Sequence, residues 1–214
     1  MTNKLKGLII LNGEIQDLNI LKEIGNHSDF ILSADGGTDY CFKAGLIQDI
    51  VIGDLDSISK SSLEIIGEKN IPVEKFPVKK DKTDSELAID YLIDKGIRHI
   101  TLIGAIGNRL DHTLANIFLL TKMKDMGVKG QIVDRNNTIY LVDDEMVLPK
   151  TDSFVSIIPA DLSGIVISLK GFEYELDKVK VKFGTTHGIS NRIVESEGFI
   201  KVHEGQCFVI VSRD

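Results

Sequence analysis

Short apolar segments alternate with helix-type patterns over the first 127 residues, and this alternation limits the fold more than any other feature of the chain. Such alternation is typical of βα units, in which parallel strands are joined by helices. It predicts strands at residues 7–11, 30–34, 50–52, 73–76 and 99–103. The helices predicted between and after them cover residues 18–24, 38–44, 61–68, 84–95 and 113–126. We therefore expect an open, mostly parallel sheet flanked by helices.

The fourth predicted helix carries side chains that stabilise helix termini. Thr83 and Glu86 have the spacing of a capping box, in which each side chain satisfies a backbone N–H group at the helix start. Gly96 follows the last apolar position, where a glycine commonly ends a helix. These signals predict a helix that begins at Asp84.

After Gly127 the helical pattern stops, and β-branched and aromatic residues alternate with polar ones between turn-forming segments. This pattern is typical of antiparallel sheets. It predicts strands at residues 131–134, 138–142, 154–158, 165–169, 179–183, 193–195, 199–203 and 207–211, with hairpin turns at 196–198 and 204–206. We expect an α/β domain over residues 1–127, followed by an antiparallel β-sandwich domain over residues 128–214, with a barrel as the alternative.

The charge balance narrows the range of partners. The 214 residues include 25 basic and 32 acidic ones, which gives a formal net charge of −7. No basic segment is long enough to follow a phosphate backbone, so nucleic acid is not an expected partner. A phosphorylated ligand would need a metal ion, a helix N-terminus or a few well-placed cations to neutralise its charge.

The N-terminal segment and the cysteines bear on location. Residues 1–6 are short and mixed in character, and the sequence has no apolar stretch of about 18 residues, so neither a signal peptide nor a membrane span is expected. Cys41 and Cys207 lie in apolar surroundings without metal-type spacing, which predicts buried, reduced thiols. These features together predict a cytoplasmic protein with no membrane partner.

Acidic residues follow four of the predicted parallel strands, mostly beside glycine or a hydroxyl residue. Ligands of open parallel sheets bind outside the carboxyl ends of the strands, so these acids are expected to lie along one edge. The acids in question are Asp35, Asp54, Asp56, Asp81, Asp84 and Asp111.

Asp54 and Asp56 are the pair best placed for a small cation. Residues two apart in extended chain point the same way, so both carboxylates could flank Mg²⁺, which usually takes one or two protein carboxylates and leaves positions for phosphates. The alternative is an Asx turn with a helix N-cap. For Asp81 and Asp84 the alternative is the ordinary preference for acids at a helix start.

Cations and glycines follow the same strand ends. Lys79, Lys80 and Lys82 fit a solvated loop or the neutralisation of a phosphate. The turn at residues 104–107 could cradle a phosphate or adenosine, although it lacks the pattern of a P-loop. Arg109 could bind phosphate with two hydrogen bonds or form a salt bridge to Asp111, and His112 could cap or pack.

The ordered set of motifs resembles the thiamine pyrophosphokinases, in their bacterial form. These motifs are ADGG (34–37), GDLDS (53–57), KDKTD (80–84), GAIGNRLDH (104–112), SIIP (156–159), GFEY (171–174) and GISN (188–191). Their order and spacing extend over nearly the whole chain. The resemblance implies an ATP-binding catalytic domain followed by a thiamine-binding domain, and a homodimer whose thiamine site is shared between subunits.

The resemblance also implies a reaction and its residues. The hydroxyl of thiamine would attack the β-phosphorus of ATP, with Mg²⁺ as cofactor, and AMP would leave. The metal-associated acids would be Asp54, Asp56 and Asp84, with Asp81 as a further catalytic acid. The implied ATP-binding residues are Asp35, Gly36, Gly37, Ser57, Lys80, Thr83, Gly107, Arg109, Asp111 and His112. The implied thiamine-binding residues are Tyr174, Ser190 and Asn191.

Several alternatives remain open at the level of sequence. GFEY has Phe172 and Glu173 where the family more often has leucine and lysine, and Tyr174 could belong to the sandwich core instead of stacking on thiamine. Ser190 and Asn191 could form a turn between strands. The alternative functions are a metal-dependent phosphatase of the aspartyl-phosphate type, which the DxD pattern at Asp54 suggests, and a non-catalytic nucleotide-binding module.

Overall fold

The structure is a computed structural model that describes residues 5–75 and 81–213. The chain forms two compact units, one that ends at Arg135 and one that begins at Asn136. Each unit has its own buried apolar residues.

The first unit alternates strands and helices, as the sequence predicts. Its elements are β1 (Lys6–Ile10), α1 (Leu18–Asn26), β2 (Phe30–Ala34), α2 (Gly37–Lys43), β3 (Ile50–Ile52), α3 (Lys60–Glu68), β4 (Val73–Glu74), α4 (Asp84–Asp94), β5 (His99–Ile103), α5 (Leu110–Asp125) and β6 (Lys129–Val133). The strands lie in the order β4-β3-β2-β1-β5-β6, and every neighbouring pair is parallel. The predicted open parallel sheet flanked by helices is confirmed.

Helices cover both faces of this sheet. Leu8, Ile10 and Ile31 project to one face, where they pack with buried residues of α1 and α2. On the same face, Val51 packs with Ile66 of α3. Helices α4 and α5 contact β1, β2 and β6 and contact each other. Burial on both faces explains why the strands read as continuous apolar runs.

The termini of α4 follow the predicted capping pattern. The Thr83 hydroxyl accepts a hydrogen bond from the N–H of Glu86 at 3.3 Å, and the helix begins at Asp84. Gly96 follows the helix with a φ of +82°, a conformation that glycine adopts without steric cost. The Thr83 cap therefore fixes Asp84 at the first helical position, facing the edge where the strands end. The Glu86 carboxylate accepts a hydrogen bond from Lys122 Nζ at 2.9 Å and is not shown to complete the capping box.

The strand order creates a crevice next to β1. From β1 the chain adds β2, β3 and β4 on one side and β5 and β6 on the other. The loops after β1 and β5 therefore leave the sheet in opposite directions. A crevice at such a reversal is the usual ligand site of an open parallel sheet.

The second unit is an antiparallel sandwich. Its strands are β7 (Asn137–Val142), β8 (Glu145–Pro149), β9 (Phe154–Pro159), β10 (Ile165–Lys170), β11 (Leu176–Val181), β12 (Glu197–Glu204) and β13 (Cys207–Ser212). Within the unit, β7, β13 and β9 pair in that order as part of one sheet, and β11-β10-β12-β8 form a separate four-stranded sheet. Buried residues of both sheets form one hydrophobic cluster, so the predicted β-sandwich is confirmed.

Several local predictions for the second half differ from the structure. Strand β6 pairs with β5 in the parallel sheet, so the change of pattern at residue 127 precedes the division between the units. Strand β8 was not predicted. Residues 196–198 do not form a hairpin turn, because Glu197 and Gly198 begin β12 and pair with β8. Residues 204–206 connect strands of different sheets, and of the predicted strand at 193–195 only an isolated bridge at Ile193 forms.

Two further observations concern the whole described chain. Within residues 5–75 and 81–213, no helix is long and apolar enough to cross a membrane. Cys41 and Cys207 are free and buried, as predicted, and burial raises the pKa of both thiols to about 12. Both thiols are therefore protonated and unreactive at neutral pH.

Candidate active site

A cavity of about 460 Å³ lies in the crevice between the carboxyl ends of β1 and β5. Loops after three strands and the first turns of two helices form its walls. The lining residues are Leu11, Asn12, Gly13, Ala34, Asp35, Lys82, Thr83, Asp84, Ser85, Gly104, Ala105, Gly107, Asn108, Arg109, His112, Thr113 and Asn116. Its position in the sheet and its polar walls make it the candidate active site.

The loops after β1 and β5 are joined at the floor of the cavity. The N–H of Leu11 donates to Ile103 O at 2.8 Å, and the N–H of Gly13 donates to Gly104 O at 2.9 Å. A Cβ atom on Gly13 would lie 2.2 Å from Gly104 O, so only glycine permits this approach. The side chain of Asn12 lies against Gly36, where a Cβ would come within 2.1 Å of the Asn12 Oδ1.

One end of the site is acidic. Asp35 follows β2 in a left-handed conformation, with a φ of +45°, and its carboxyl is hydrogen bonded to that of Asp84. The N–H of Leu55 donates to Asp35 Oδ1 at 3.4 Å. Burial, the charge of Asp84 and the charge of Asp54 together raise the pKa of Asp35 from its ordinary 3.8 to about 6. The structure thus brings Asp35, Asp54 and Asp84 into electrostatic contact.

This acidic end fits a divalent cation. Carboxylates held together repel each other unless a proton or a cation lies between them. Mg²⁺ needs one or two protein carboxylates and completes its shell with phosphate oxygens and water. Among the residues that the structure describes, no three His, Cys, Asp or Glu side chains converge as a metal-binding group. A cation at this end would need ligands beyond the protein side chains to complete its shell.

An Asp35→Asn variant is expected to be more stable than the wild type at pH 7 in the absence of Mg²⁺. Between pH 3.8 and about 6 the folded protein keeps a proton on Asp35 that the unfolded chain has released, so the contribution of this group to stability falls as pH rises through that window. Asparagine removes the charge, and the expected gain is about 1 kcal/mol, after discounting for solvent screening. Urea unfolding between pH 4 and 8 measures it.

The matched control for this variant is Asp94→Asn, which removes an exposed acid at the far end of α4. It is expected to leave the pH dependence between 4 and 6 unchanged. Equal unfolding free energies of Asp35→Asn and the wild type at pH 7 would contradict the proposed destabilisation by the Asp35 charge.

Asp56 and Ser57, like Asp54, are not among the residues that line the cavity. The N–H of Asp56 donates to Asp54 Oδ1 at 3.1 Å, which is the Asx turn considered as the alternative, and Ser57 donates to Asp56 Oδ1 at 2.8 Å. Both side chains are exposed. The N-cap of α3 is Ser59, so the pair at 54 and 56 does not cap that helix.

The other residues predicted from the first unit are placed as follows. Gly36 and Gly37 form the start of α2, and Asp81 is exposed. Lys79 and Lys80 lie outside the described residues. Lys82 lines the cavity and forms a 2.8 Å ion pair with Asp90.

Arg109 and Asp111 form an ion pair at the mouth of the cavity. The Arg109 Nη2 lies 2.6 Å from Asp111 Oδ2, and both side chains are about two-thirds exposed. The hydrogen bond from Arg109 lowers the pKa of Asp111. The salt bridge expected as the alternative for Arg109 is therefore present, while Arg109 and His112 also line the cavity. An exposed ion pair of this kind exchanges partners at little energetic cost.

In the second unit, Asn191 holds the backbone of Tyr174. The buried Asn191 side chain accepts from Tyr174 N at 3.1 Å and donates to Tyr174 O at 2.8 Å. The Tyr174 side chain is 64% exposed, which excludes the alternative that it belongs to the sandwich core. Ser190 has a φ of +60°, and its N–H donates to Ser156 Oγ at 3.0 Å. Asn191 itself forms an antiparallel bridge with Val155 of β9, so Ser190 and Asn191 are tied to that strand while the Tyr174 ring is exposed.

Several cavity-lining residues were not predicted from the sequence. Among them, Asn12 and Gly13 lie in the loop after β1, and Thr113 and Asn116 lie in the first two turns of α5. The Asn-Gly pair after the first strand was a usable signal, because it lies at the edge where ligands of open parallel sheets bind. The side chains of Thr113 and Asn116 form hydrogen bonds with backbone atoms of the turn after β5, and the sequence does not reveal these contacts.

Comparison with known proteins covers both units. A family model described as "Thiamin pyrophosphokinase, catalytic domain" matches residues 21–132, and "Thiamin pyrophosphokinase, vitamin B1 binding domain" matches residues 142–207. The thiamine pyrophosphokinase of Bacillus subtilis is 29% identical over 202 residues, which cover 92% of this chain and 94% of that protein. The crystal structure of a B. subtilis thiamine pyrophosphokinase aligns with a TM-score of 0.88 at 29% identity. The alignment covers 98% of this chain and 99% of that chain. The enzyme from Geobacillus thermodenitrificans gives 0.85 at 29% identity, with 98% of each chain covered.

Proposed function

The chain belongs to the thiamine pyrophosphokinase family, and from this premise we propose that it transfers the pyrophosphoryl group of ATP to the hydroxyl group of thiamine. The products are thiamine diphosphate and AMP. The observation that carries the proposal is the cavity between β1 and β5, which lies at the usual nucleotide position of an open parallel sheet and has an acidic end. It falls in the first unit, most of which the catalytic-domain model matches.

The reaction requires positioning and charge neutralisation more than covalent chemistry by the protein. The thiamine oxygen forms a bond to the β-phosphorus, the bond from that phosphorus to the oxygen of the α-phosphate breaks, and the hydroxyl proton is lost to a base or to water. Rate enhancement then comes from holding the reactants in line and from stabilising the charge of the transferred group.

Asp54 and Asp84, beside Asp35, are the residues that would hold Mg²⁺. The bound ion would neutralise phosphate charge and orient the pyrophosphoryl group. The raised pKa of Asp35 supports this assignment, because a carboxyl held against other carboxylates gains most from a neighbouring cation. Because Asp84 is the first residue of α4, phosphates that share the cation with it would be positioned relative to that helix.

The nucleotide is assigned to the remainder of the cavity. Arg109 can exchange its exposed bond to Asp111 for two hydrogen bonds to a phosphate. Lys82 and His112 supply further polar contacts at the same walls. Asp56, Asp81, Ser57 and Lys80 remain predicted contributors.

Thiamine is assigned to the second unit. Hydrogen bonds with Asn191 hold the backbone of Tyr174, and the Tyr174 ring is exposed. A flat aromatic face is therefore available for the pyrimidine ring of thiamine. Ser190 directly precedes Asn191 and completes the assigned thiamine site.

A Tyr174→Ala variant is expected to raise the KM for thiamine about tenfold, because a stacking contact of this kind contributes about 1 kcal/mol beyond the area it buries. The affinity for ATP should remain within about twofold of wild type. Steady-state kinetics and calorimetry measure the two quantities. Phe183→Ala removes another exposed aromatic side chain of the same unit and serves as the control. A thiamine KM equal to wild type would remove Tyr174 from the site.

We include a homodimer and a cytoplasmic location in the proposal. Leu110, Leu114 and Phe118 are each more than half exposed and recur every four residues on one face of α5, and a contiguous apolar surface of this kind is typical of interfaces. Light scattering should then give about twice the chain mass of 23.6 kDa. The free, buried cysteines are typical of a reducing compartment.

Product analysis tests the proposed function directly. The protein incubated with ATP, Mg²⁺ and thiamine should yield AMP and thiamine diphosphate in equal amounts. Omission of thiamine should abolish AMP formation. ADP with thiamine monophosphate as products would contradict pyrophosphoryl transfer, and release of inorganic phosphate alone would favour the phosphatase hypothesis.

A further inference from the structure

The turn between β5 and α5, residues 104–107, borders the cavity and is bound by two side chains of the helix that follows it. These side chains, Thr113 and Asn116, also line the cavity. Each reaches back to the turn backbone instead of to another side chain. The contacts are therefore independent of which side chains the turn itself carries.

The Thr113 side chain contacts both the backbone N–H and the backbone carbonyl of one residue, Gly107. Its Oγ1 lies 3.2 Å from Gly107 N and 3.2 Å from Gly107 O. A hydroxyl can accept from the N–H and donate to the carbonyl at the same atom, which an apolar side chain of the same shape cannot do. Thr113 thereby fixes the orientation of the backbone at Gly107.

Asn116 binds the turn one helical turn further along. Its side chain is only 7% exposed, and its Nδ2 donates to Ala105 O at 2.8 Å. The atom that faces a carbonyl oxygen must be the amide donor, so this contact also sets the orientation of the Asn116 amide. A buried hydrogen bond of this kind is costly to break, because its partners have no access to water.

The opposite side of the turn is bound by the loop after β1. Gly13 N donates to Gly104 O at 2.9 Å. The carbonyl oxygen of Gly104 thus accepts a hydrogen bond from the loop after β1, and those of Ala105 and Gly107 accept hydrogen bonds from α5. The turn is held from two directions before any ligand arrives.

We propose that Thr113 and Asn116 are positioning residues for the nucleotide: they hold the turn at 104–107 in the conformation that receives ATP. The identity of the ligand rests on the proposed function. A turn that is ordered before binding does not lose conformational entropy when the ligand binds, so the affinity of the protein for that ligand is higher. The affinity for ATP depends on the two residues, and the affinity for thiamine does not.

The test uses three variants of the two proposed residues and one matched control. Thr113→Val removes the hydroxyl and keeps the shape, whereas Thr113→Ser keeps the hydroxyl. Asn116→Leu removes the amide without adding charge. Thr121→Val is the control, because Thr121 lies on the same helix and donates to the backbone oxygen of Phe118 at 2.7 Å but stands outside the described lining of the cavity.

Calorimetric titration with ATP and Mg²⁺, with thiamine omitted, measures nucleotide affinity without turnover. We expect Thr113→Val and Asn116→Leu to weaken ATP binding about tenfold, as one lost hydrogen bond implies. Thr113→Ser and Thr121→Val should stay within about twofold of wild type. The KM for thiamine at saturating ATP should stay unchanged in all four variants.

Wild-type affinity of Thr113→Val for ATP would overturn the inference. So would a parallel loss of ATP affinity and melting temperature in Thr113→Val and Thr121→Val, which would indicate a general effect on helix stability. A wild-type protein that binds ATP but forms no AMP would contradict the proposed function alone, and the comparison of ATP affinities would still decide the role of Thr113 and Asn116.

Discussion

An Asp84→Asn variant is expected to lose about three orders of magnitude in kcat/KM for ATP while it keeps its fold. The magnitude is that of removing one group that stabilises charge in a transition state. Asp84 occupies the first position of α4 and lines the cavity, and its charge is one cause of the raised pKa of Asp35. Asparagine keeps the shape and removes the charge that would hold Mg²⁺. Steady-state kinetics over a range of Mg²⁺ concentrations measures the loss, which excess Mg²⁺ should relieve in part.

Asp94→Asn provides the comparison, since it removes an equal charge from the exposed opposite end of the same helix. Its kcat/KM should stay within about twofold of wild type. An Asp84→Asn enzyme with near-normal turnover and an unchanged Mg²⁺ requirement would exclude Asp84 from the site. Melting temperatures of both variants show whether the fold is intact.

A Gly13→Ala variant is expected to lose both stability and nucleotide binding. The added Cβ would lie 2.2 Å from Gly104 O and 2.7 Å from Ile106 O, and both contacts are with backbone, which cannot move aside as a side chain can. Relief of the clash requires the loops after β1 and β5 to separate, which breaks the bond from Gly13 N to Gly104 O. Overpacking of this kind costs about 3 kcal/mol. Urea unfolding and ATP calorimetry measure the two effects.

Gly67→Ala is the natural control for this substitution. Gly67 lies in α3, and a Cβ there would meet nothing within 4 Å. Alanine is the better helix former, so this variant should gain about 0.5–1 kcal/mol. If Gly13→Ala were as stable as Gly67→Ala and bound ATP normally, the close approach of the two loops would not be needed for the site.

The central strands were predictable because each is a short apolar run that is buried on both faces of the sheet. The bounds of β2, β3 and β5 agree with the sequence prediction, and the ends of α4 follow from its capping residues. Strand β8 was missed because exposed Glu145 and the terminal Pro149 obscure a five-residue pattern. Residues 196–198 have turn-type composition, but pairing with β8 determines their conformation, so tertiary contacts override the local preference.

The acidic part of the site was predictable from one rule, which is that parallel strands end at a common edge. That rule places Asp35, Asp54 and Asp84 close together, as observed. The salt bridge between Asp111 and Arg109 was one of two outcomes that the sequence left open. The rule cannot identify Thr113 and Asn116, because the partners of these side chains are backbone atoms whose positions depend on how α5 packs.

The central position of β1 has a consequence for how the chain folds. Lys6 is opposite His99 in the sheet, so the pairing of β1 with β5 joins residues separated by most of the first unit. During synthesis β1 appears first, yet one of its edges stays open until β5 has left the ribosome. Closing so long a loop is entropically slow, and the exposed edge is a site for pairing between chains. A nascent chain that stops before residue 99 should therefore aggregate, whereas one extended past β6 should fold.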